Sequence, residues 1–295
     1  MLATDNRGMT VSPDPDTSAA ETREAALRLE KAGVQLGDRY IWRHVDLEIG
    51  PGEFVAILGP NGGGKSTLLK AMLGVLPLTE GSISVFGRQV RRGNDSVGYL
   101  PQRRTFDADL RVRGVDLVRL GLDGARWGIP IPFMDRLAGG RARADAVLVD
   151  EVIEMVGASA YARRPIGELS GGEQQRILIA QALVTGARML ALDEPLDSLD
   201  MGNQQAISGL VQRICQERGV TVLLVAHDIN PILPYVDRVV YVAQGQIVAG
   251  RPDEVIQTET LTRLYGTPVE VLRTTDGRIV VVGQNEPVSY HGHAH

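Results

Sequence analysis

The chain has a single cysteine, Cys215, among 295 residues, so no intrachain disulfide can form. A reducing, cytosolic setting fits that composition. No apolar run reaches the roughly 18 residues a membrane-spanning helix needs, so a bilayer-spanning segment is not expected. The first residues lack the basic-then-apolar pattern of a secretion signal, so none is expected. Positive charge is in short supply: 31 Lys and Arg face 36 Asp and Glu, a net charge of -5. No general basic field exists to attract nucleic acid, and no nucleic-acid partner is expected. Lysine occurs only at Lys31, Lys65 and Lys70, with arginine elsewhere, which reads as compositional bias. Hydrophobic residues make up 43%, ample for a buried core. If the protein works at a membrane, a partner must hold it from outside the lipid.

The organisation follows from patterning. Residues 1–23 are polar, rich in Asp, Thr, Ser and Pro, and read as a disordered tail. Val45–Ile49 alternates as a half-exposed strand does. Phe54–Leu58 is continuously apolar, like a buried parallel strand. Lys65–Leu76 reads as a helix, with Leu68/Met72 and Leu69/Leu73 at i, i+4 spacing. Ser82–Phe86 reads as a short strand opened by a Glu80-Gly81 turn. Leu110–Leu120 and Arg143–Val156 read as helices joined by a Gly- and Pro-containing connection, Gly124–Gly140. Strand–helix alternation then resumes with Met189–Leu192, a helix burying Ile207, Leu210, Val211 and Ile214, and Val222–Val225. That alternation argues a parallel α/β sheet. Past Arg251 come a helix over Glu254–Leu264 and a hairpin, Val269–Leu272 and Arg278–Val282, around Asp276-Gly277.

Gly59-Pro60-Asn61-Gly62-Gly63-Gly64-Lys65-Ser66, followed by Thr67, is a phosphate-loop pattern after an expected strand and before an expected helix. Glycines let backbone N–H groups turn toward phosphate oxygens, and the helix N-terminus adds its positive end. Lys65 is placed to reach the β- and γ-phosphates of a nucleotide, and the Ser66 hydroxyl to ligate Mg²⁺. A chance match in a chain of this length is on the order of 1 in 100. Asp193-Glu194 ends an apolar strand, where a carboxylate pair faces the crevice at the sheet's carboxyl edge. Asp193 is the candidate Mg²⁺ residue and Glu194 the candidate general base. Ser170-Gly171-Gly172-Glu173 reads as a capping box, yet a cap does not require two glycines.

In order, the phosphate loop, Gln102, Leu169-Ser170-Gly171-Gly172-Glu173-Gln174, Asp193-Glu194 and His227 resemble the ATP-handling elements of ABC-type ATPases. The resemblance runs from about Leu27 to His227 and on toward the end. It implies an α/β fold: a P-loop (RecA-like) core, an antiparallel β subdomain and a helical signature subdomain at about 103–167. The expected domains are residues 24–250 for the ATPase, 251–286 for a small helix and hairpin, and 287–295 for a flexible tail. Gln102 implies the Q-loop that contacts Mg²⁺ and the lytic water. His227 implies the switch histidine, and Ser198-Leu199-Asp200 the D-loop. Ser170, Gly171, Gly172 and Asp200 imply contacts to ATP across a head-to-tail homodimer. Leu36, 29 residues before Lys65, occupies the place where the family usually has an aromatic ring against adenine. Tyr40 and Trp42 are the alternatives.

The family further implies ATP and Mg²⁺ as cofactors, membrane permease subunits as partners, and a position on the cytoplasmic face of the membrane. Pro101-Gln102-Arg103-Arg104 and Val112–Val118 resemble the zinc/manganese-uptake branch, which also works with an extracytoplasmic metal-binding protein. Arg111 stands where that branch usually has proline. His291, His293 and His295 form a tail that can bind Zn²⁺ loosely or be idle. Rival readings are import of an iron–siderophore or vitamin, export of another cargo, and a soluble ABC ATPase acting on ribosomes or DNA. The last usually carries tandem units, coiled coils or zinc insertions, and the sequence has none.

Overall fold

The computed structural model describes residues 24–90, 94–102, 106–124, 139–265, 268–274 and 279–282. The expected N-terminal tail, Arg103-Arg104, most of the Gly124–Gly140 connection, the Asp276-Gly277 turn and the histidine tail lie outside them. In chain order the elements are β1 (Leu27–Leu36), β2 (Arg39–Ile49), β3 (Phe54–Leu58), α1 (Lys65–Met72), β4 (Glu80–Val85), β5 (Arg88–Gln89) and β6 (Val97–Leu100). Next come α2 (Gly114–Gly124), α3 (Gly139–Met155), α4 (Gly171–Leu183), β7 (Met189–Asp193), α5 (Met201–Arg218) and β8 (Thr221–Val225). The chain continues through β9 (Arg238–Ala243), β10 (Gln246–Gly250), α6 (Pro252–Val255), α7 (Thr258–Tyr265), β11 (Glu270–Arg273) and β12 (Ile279–Val282).

β3, β7 and β8 are buried at every residue because the sheet is covered on both faces. Their period-2 alternation divides the core in two. Phe54, Ala56, Leu190, Leu192, Val222 and Leu224 pack on the side of α4 and α5. Val55, Ile57, Met189, Ala191, Leu223 and Val225 pack with α1, β1 and β2. The central sheet has order β10-β9-β3-β8-β7-β6, parallel from β9 to β6, with β10 antiparallel at one edge. A separate antiparallel sheet, β2-β1-β4-β5, covers α1, and β11-β12 is a two-stranded ribbon.

Several element boundaries correct the sequence expectation. α1 stops at Met72 rather than Leu76. Gly74 takes φ 67° and donates to the Ala71 carbonyl, while Val75 donates to that of Lys70. This is the left-handed closure that ends a helix at glycine. Glu80-Gly81 opens β4 instead of preceding it: Gly81, at φ 74°, sits where β1 bulges at Lys31, and a Cβ there would lie 2.3 Å from the Lys31 carbonyl oxygen. α2 begins at Gly114, not Leu110, because the preceding backbone is committed elsewhere. Ile166 and Gly167 donate to the Val112 and Leu110 carbonyls, and Val115 to that of Ala162. The strands of chain entering α2 and leaving α3 therefore run side by side. The single helix expected over Glu254–Leu264 is two, α6 and α7. Ile256 leaves helical geometry at φ -88°, ψ 80° and is itself buried in the main core.

Candidate functional site

The phosphate loop joins the carboxyl end of β3 to α1, with glycine where the backbone demands it. At Gly59, φ is 144° and an added Cβ would lie 2.0 Å from the Val242 carbonyl oxygen of β9. At Gly63 it would meet the Val242 and Pro60 oxygens at 2.8 and 2.9 Å. At Gly59 and Gly63 the loop thus lies against neighbouring backbone with no room for a side chain. Lys65 is buried, and its ammonium donates to the carbonyls of Gly59 (2.8 Å) and Pro60 (3.2 Å). Burial pulls its pKa down, against the pull of the Glu194, Asp193 and Asp197 carboxylates.

β7 delivers Asp193 and Glu194 to the same edge. The Asp193 carboxylate is buried; the Tyr99 hydroxyl makes a long 3.5 Å contact with its Oδ2, and Oδ1 has no hydrogen-bond partner. Burial, reinforced by the Glu194 charge, raises its pKa, and burial beside Asp193 pushes the Tyr99 phenol up to about 12. A buried carboxylate oxygen without a donor is costly unless a cation meets it. Asp193 therefore fits a Mg²⁺ ligand, direct or through water.

Glu194 sits in the left-handed region, φ 53°, with its N–H bound to the Val225 carbonyl of β8 at 3.1 Å. Its carboxylate takes His227 Nε2 on one oxygen at 2.5 Å and the Gln102 side-chain amide on the other. Burial works to raise the Glu194 carboxyl, but hydrogen bonds to His227 and Asp197 prevail and hold it below the ordinary range. The Glu194 hydrogen bond raises the His227 imidazole in turn. Ligand atoms of Glu194, Asp197 and His227 all lie within 4.8 Å of one another. A cavity of 320 Å³ opens beside them, lined by Ser198, Gln204 and Asp228 among others. A larger cavity, 620 Å³, lies at the opposite end of the sheet and holds none of the motif residues. Both its arginines are paired, Arg238 with Glu53 at 2.9 Å and Arg251 with Asp253 at 3.7 Å.

The capping box at Ser170 is present. Ser170 N–H and Oγ both donate to the Glu173 carboxylate, and Glu173 N–H returns to Ser170 Oγ at 3.4 Å. The glycines behind it lie close to α5 and the loop before it: a Cβ on Gly172 would lie 2.4 Å from Asn203 Oδ1, and one on Gly171 3.2 Å from Leu199. Asp200 caps α5, both its oxygens engaged by Asn203 at 2.9 and 2.7 Å. Gln174 ties the start of α4 to its surroundings, donating to the Ile166 and Leu169 carbonyls.

Lys65, Gln102, Asp193, Glu194 and His227 therefore meet at one sheet edge. Ser66 and Thr67 are half-buried at the start of α1, while Ser170–Gly172 and Asp200 belong to a separate α4–α5 surface. Of the three adenine candidates, Trp42 is wholly buried, its ring against the Gly64 backbone, so it cannot stack on a base. Leu36 and Tyr40 are exposed on the β1–β2 hairpin. Sequence reasoning missed Tyr99 and Asp197 as neighbours of the acidic pair. Tyr99 was legible only as the β6 neighbour of β7, and Asp197 only as a carboxylate three residues past Glu194.

A phosphate loop, a strand-end acidic pair and a histidine just past the next strand define an ATP-binding α/β protein. The ABC transporter family model matches residues 42–197. The zinc transport system ATP-binding protein TroB of Treponema pallidum is 40% identical over 227 residues, 75% of this chain and 80% of the relative. The manganese transport system ATP-binding protein MntB of Bacillus subtilis is 32% identical over 247 residues, 84% and 95%. The hemin import ATP-binding protein HmuV of Streptomyces coelicolor is 35% identical over 285 residues, 93% and 95%. Among solved structures, a metal-chelate type ABC transporter in an inward-facing conformation gives a TM-score of 0.71 at 24% identity, covering 87% of this chain and 96% of that one. A bacterial ABC transporter cassette solved as a dimer gives 0.59 at 27%, covering 76% and 98%. The chain belongs to the ABC transporter family, as an ATP-binding ATPase subunit. No described helix is long and apolar enough to cross a membrane.

Proposed function

We propose that this subunit hydrolyses ATP to drive import of a divalent metal, zinc or manganese, through a separate membrane permease. The observation that carries the hydrolytic part is the meeting of Lys65, Asp193, Glu194, Gln102 and His227 at one sheet edge. Backbone N–H groups of the loop from Gly59 to Thr67, apart from Pro60, which has none, and Gly63, whose N–H is bound to the Pro60 carbonyl, would cradle the phosphates, and Lys65 would exchange the Gly59 and Pro60 carbonyls for β- and γ-phosphate oxygens. Asp193, Ser66 and Gln102 would hold Mg²⁺, which when bound supplies charge neutralisation to the phosphates. Glu194 polarises the attacking water. The water oxygen bonds to the γ-phosphorus as the bridging P–O bond breaks, ADP leaves with that electron pair, and Glu194 takes the proton. Such general-base help contributes about 10²–10⁴-fold. His227 and Gln102 hold the Glu194 carboxylate and would align the water against the γ-phosphate. Leu36 would contribute an apolar contact to the base.

The assembly we infer is a head-to-tail homodimer in which Ser170, Gly171, Gly172 and Asp200 of one copy close over the phosphate loop of the other. It would sit on the cytoplasmic face of a membrane, bound to permease subunits and fed by an extracytoplasmic metal-binding protein. Residues 24–250 would form the cassette and 251–286 an appended module. The names of TroB and MntB support zinc or manganese as cargo. Import of a metal chelate such as hemin is the second reading, favoured by a match to HmuV that spans 93% of the chain. The test is metal content in cells lacking the gene, with zinc, manganese and iron measured side by side. A selective fall in zinc or manganese, restored by the native copy and not by Glu194→Gln, is expected. A fall in iron alone supports the chelate reading, and unchanged metals overturn both.

A further inference from the structure

Three residues past His227, Asn230 holds a backbone segment 51 residues further along the chain. Its side-chain oxygen accepts the Val281 N–H of β12 at 3.0 Å, and its side-chain N–H₂ donates to the Val281 carbonyl at 3.3 Å. An amide side chain meeting both polar groups of one residue imitates a neighbouring strand, and only one orientation of the amide satisfies both bonds. Asp228, directly after His227, fixes that orientation: its Oδ1 accepts from Asn230 N–H and Nδ2, both at 2.9 Å.

The ribbon is held at both edges. Val281 pairs across it with Val271, whose N–H binds the Thr258 hydroxyl of α7 at 3.0 Å. Val281 is also buried in the main core with Val255, Ile256, Leu261 and Val269. The segment after β8 has little regular structure of its own to fix it. Besides the His227–Glu194 contact and a 3₁₀ turn at Leu233–Tyr235, its support includes the burial of Ile229 and Ile232 and the bond of Ala226 N–H to the Ile57 carbonyl at 3.2 Å. Among the described residues, the side-chain hydrogen bonds that tie this segment to the C-terminal ribbon come from Asn230.

We propose that Asn230 is a positioning residue for ATP hydrolysis: by clamping the His227 segment to β12, it makes the C-terminal ribbon part of the nucleotide site. The proposal rests on the ATPase reading above. Loss of the clamp would let His227 and its partner Glu194 drift from working geometry while the phosphate loop, on the other side of β8, keeps its shape. Turnover therefore falls more than nucleotide binding does.

The test uses the full chain with Asn230→Ala and, as a control, Thr258→Val, which weakens the opposite edge of the same ribbon without touching the switch segment. Steady-state ATP hydrolysis is measured together with the stoichiometry of binding of a fluorescent ATP analogue, which counts the folded fraction. Asn230→Ala is expected to lose about five- to tenfold in kcat, with KM for ATP within about twofold and full stoichiometry, whereas Thr258→Val keeps kcat within about twofold. An Asn230→Ala protein that turns over like the native one overturns the proposal. So does an equal loss in both variants, which would make ribbon stability alone responsible. Should Asn230→Ala fail to fold, Asn230→Asp is judged by the same criteria. A native chain without turnover, or one indifferent to Glu194→Gln, would instead defeat the ATPase reading.

Discussion

Replacing Gly59 by alanine should damage the phosphate loop far more than the same change at Gly62, three residues on. At Gly59 the new methyl would start 2.0 Å from the Val242 carbonyl oxygen and 3.0 Å from its carbon, and φ is 144°. Val242 belongs to β9, held in register with β3, so the obstacle is sheet backbone and cannot swing aside. Relief requires the loop to move by about 1 Å, and the backbone conformation itself costs about 1–3 kcal/mol for a residue with a Cβ. At Gly62, φ is 74° but no atom lies within 4 Å of the new methyl, so only the conformational cost of about 1 kcal/mol applies. Misplacing contact groups by about 1 Å can cost about 10²-fold in activity. Gly59→Ala should therefore weaken ATP-analogue binding by at least about tenfold and lower the apparent Tm by about 3–10 °C. Gly62→Ala should stay within about threefold in binding and about 4 °C in Tm. Fluorescence titration and thermal melts of both variants decide it. Equal tolerance at the two positions would refute the reasoning, because it would mean the loop is not pressed against β9.

Two further outcomes follow from the electrostatics. Hydrogen bonding raises the His227 pKa above its ordinary 6.5, so its share of stability is full below that value and fades as pH rises through the raised one. Glu194 is held below its ordinary 4.5, so its share is present above that value and fades as pH falls through the lowered one. The loss of Tm in His227→Ala should thus be largest between 4.5 and 6.5 and shrink on both sides; melts across pH check this. Asp193→Asn should raise the Tm of the nucleotide-free chain by about 2–4 °C, on the order of 1 kcal/mol, because a desolvated and poorly partnered carboxylate disappears. The same variant should lose Mg²⁺-supported turnover, so stability and activity move in opposite directions.

The central sheet was legible because a parallel strand buried on both faces must be apolar throughout, and β3, β7 and β8 are. The loop and the acidic pair were legible because their spacing carries its own chemistry. Boundaries were less so. Gly74 ends α1 by a left-handed closure that the i, i+4 pattern of Leu69 and Leu73 outruns. Glu80-Gly81 has turn chemistry but serves a bulge, a role fixed by β1 across the sheet. Burial decided Trp42: an aromatic in an alternating strand reads alike whether it faces a base or the loop's own backbone. The Asn230 clamp could not be read at all, since an asparagine after a histidine gives no sign of a partner 51 residues away.

If Glu194 is the base for ATP hydrolysis at the carboxyl edge of this sheet, removing its charge must abolish turnover and spare binding. The most direct measurement is phosphate release by the purified full-length chain, native and Glu194→Gln, at saturating ATP and Mg²⁺. The native protein should turn over ATP, and the variant should lose about 10²–10⁴-fold with ATP binding retained. A variant that keeps more than about a tenth of native turnover would contradict it, since general-base help is worth at least about a hundredfold.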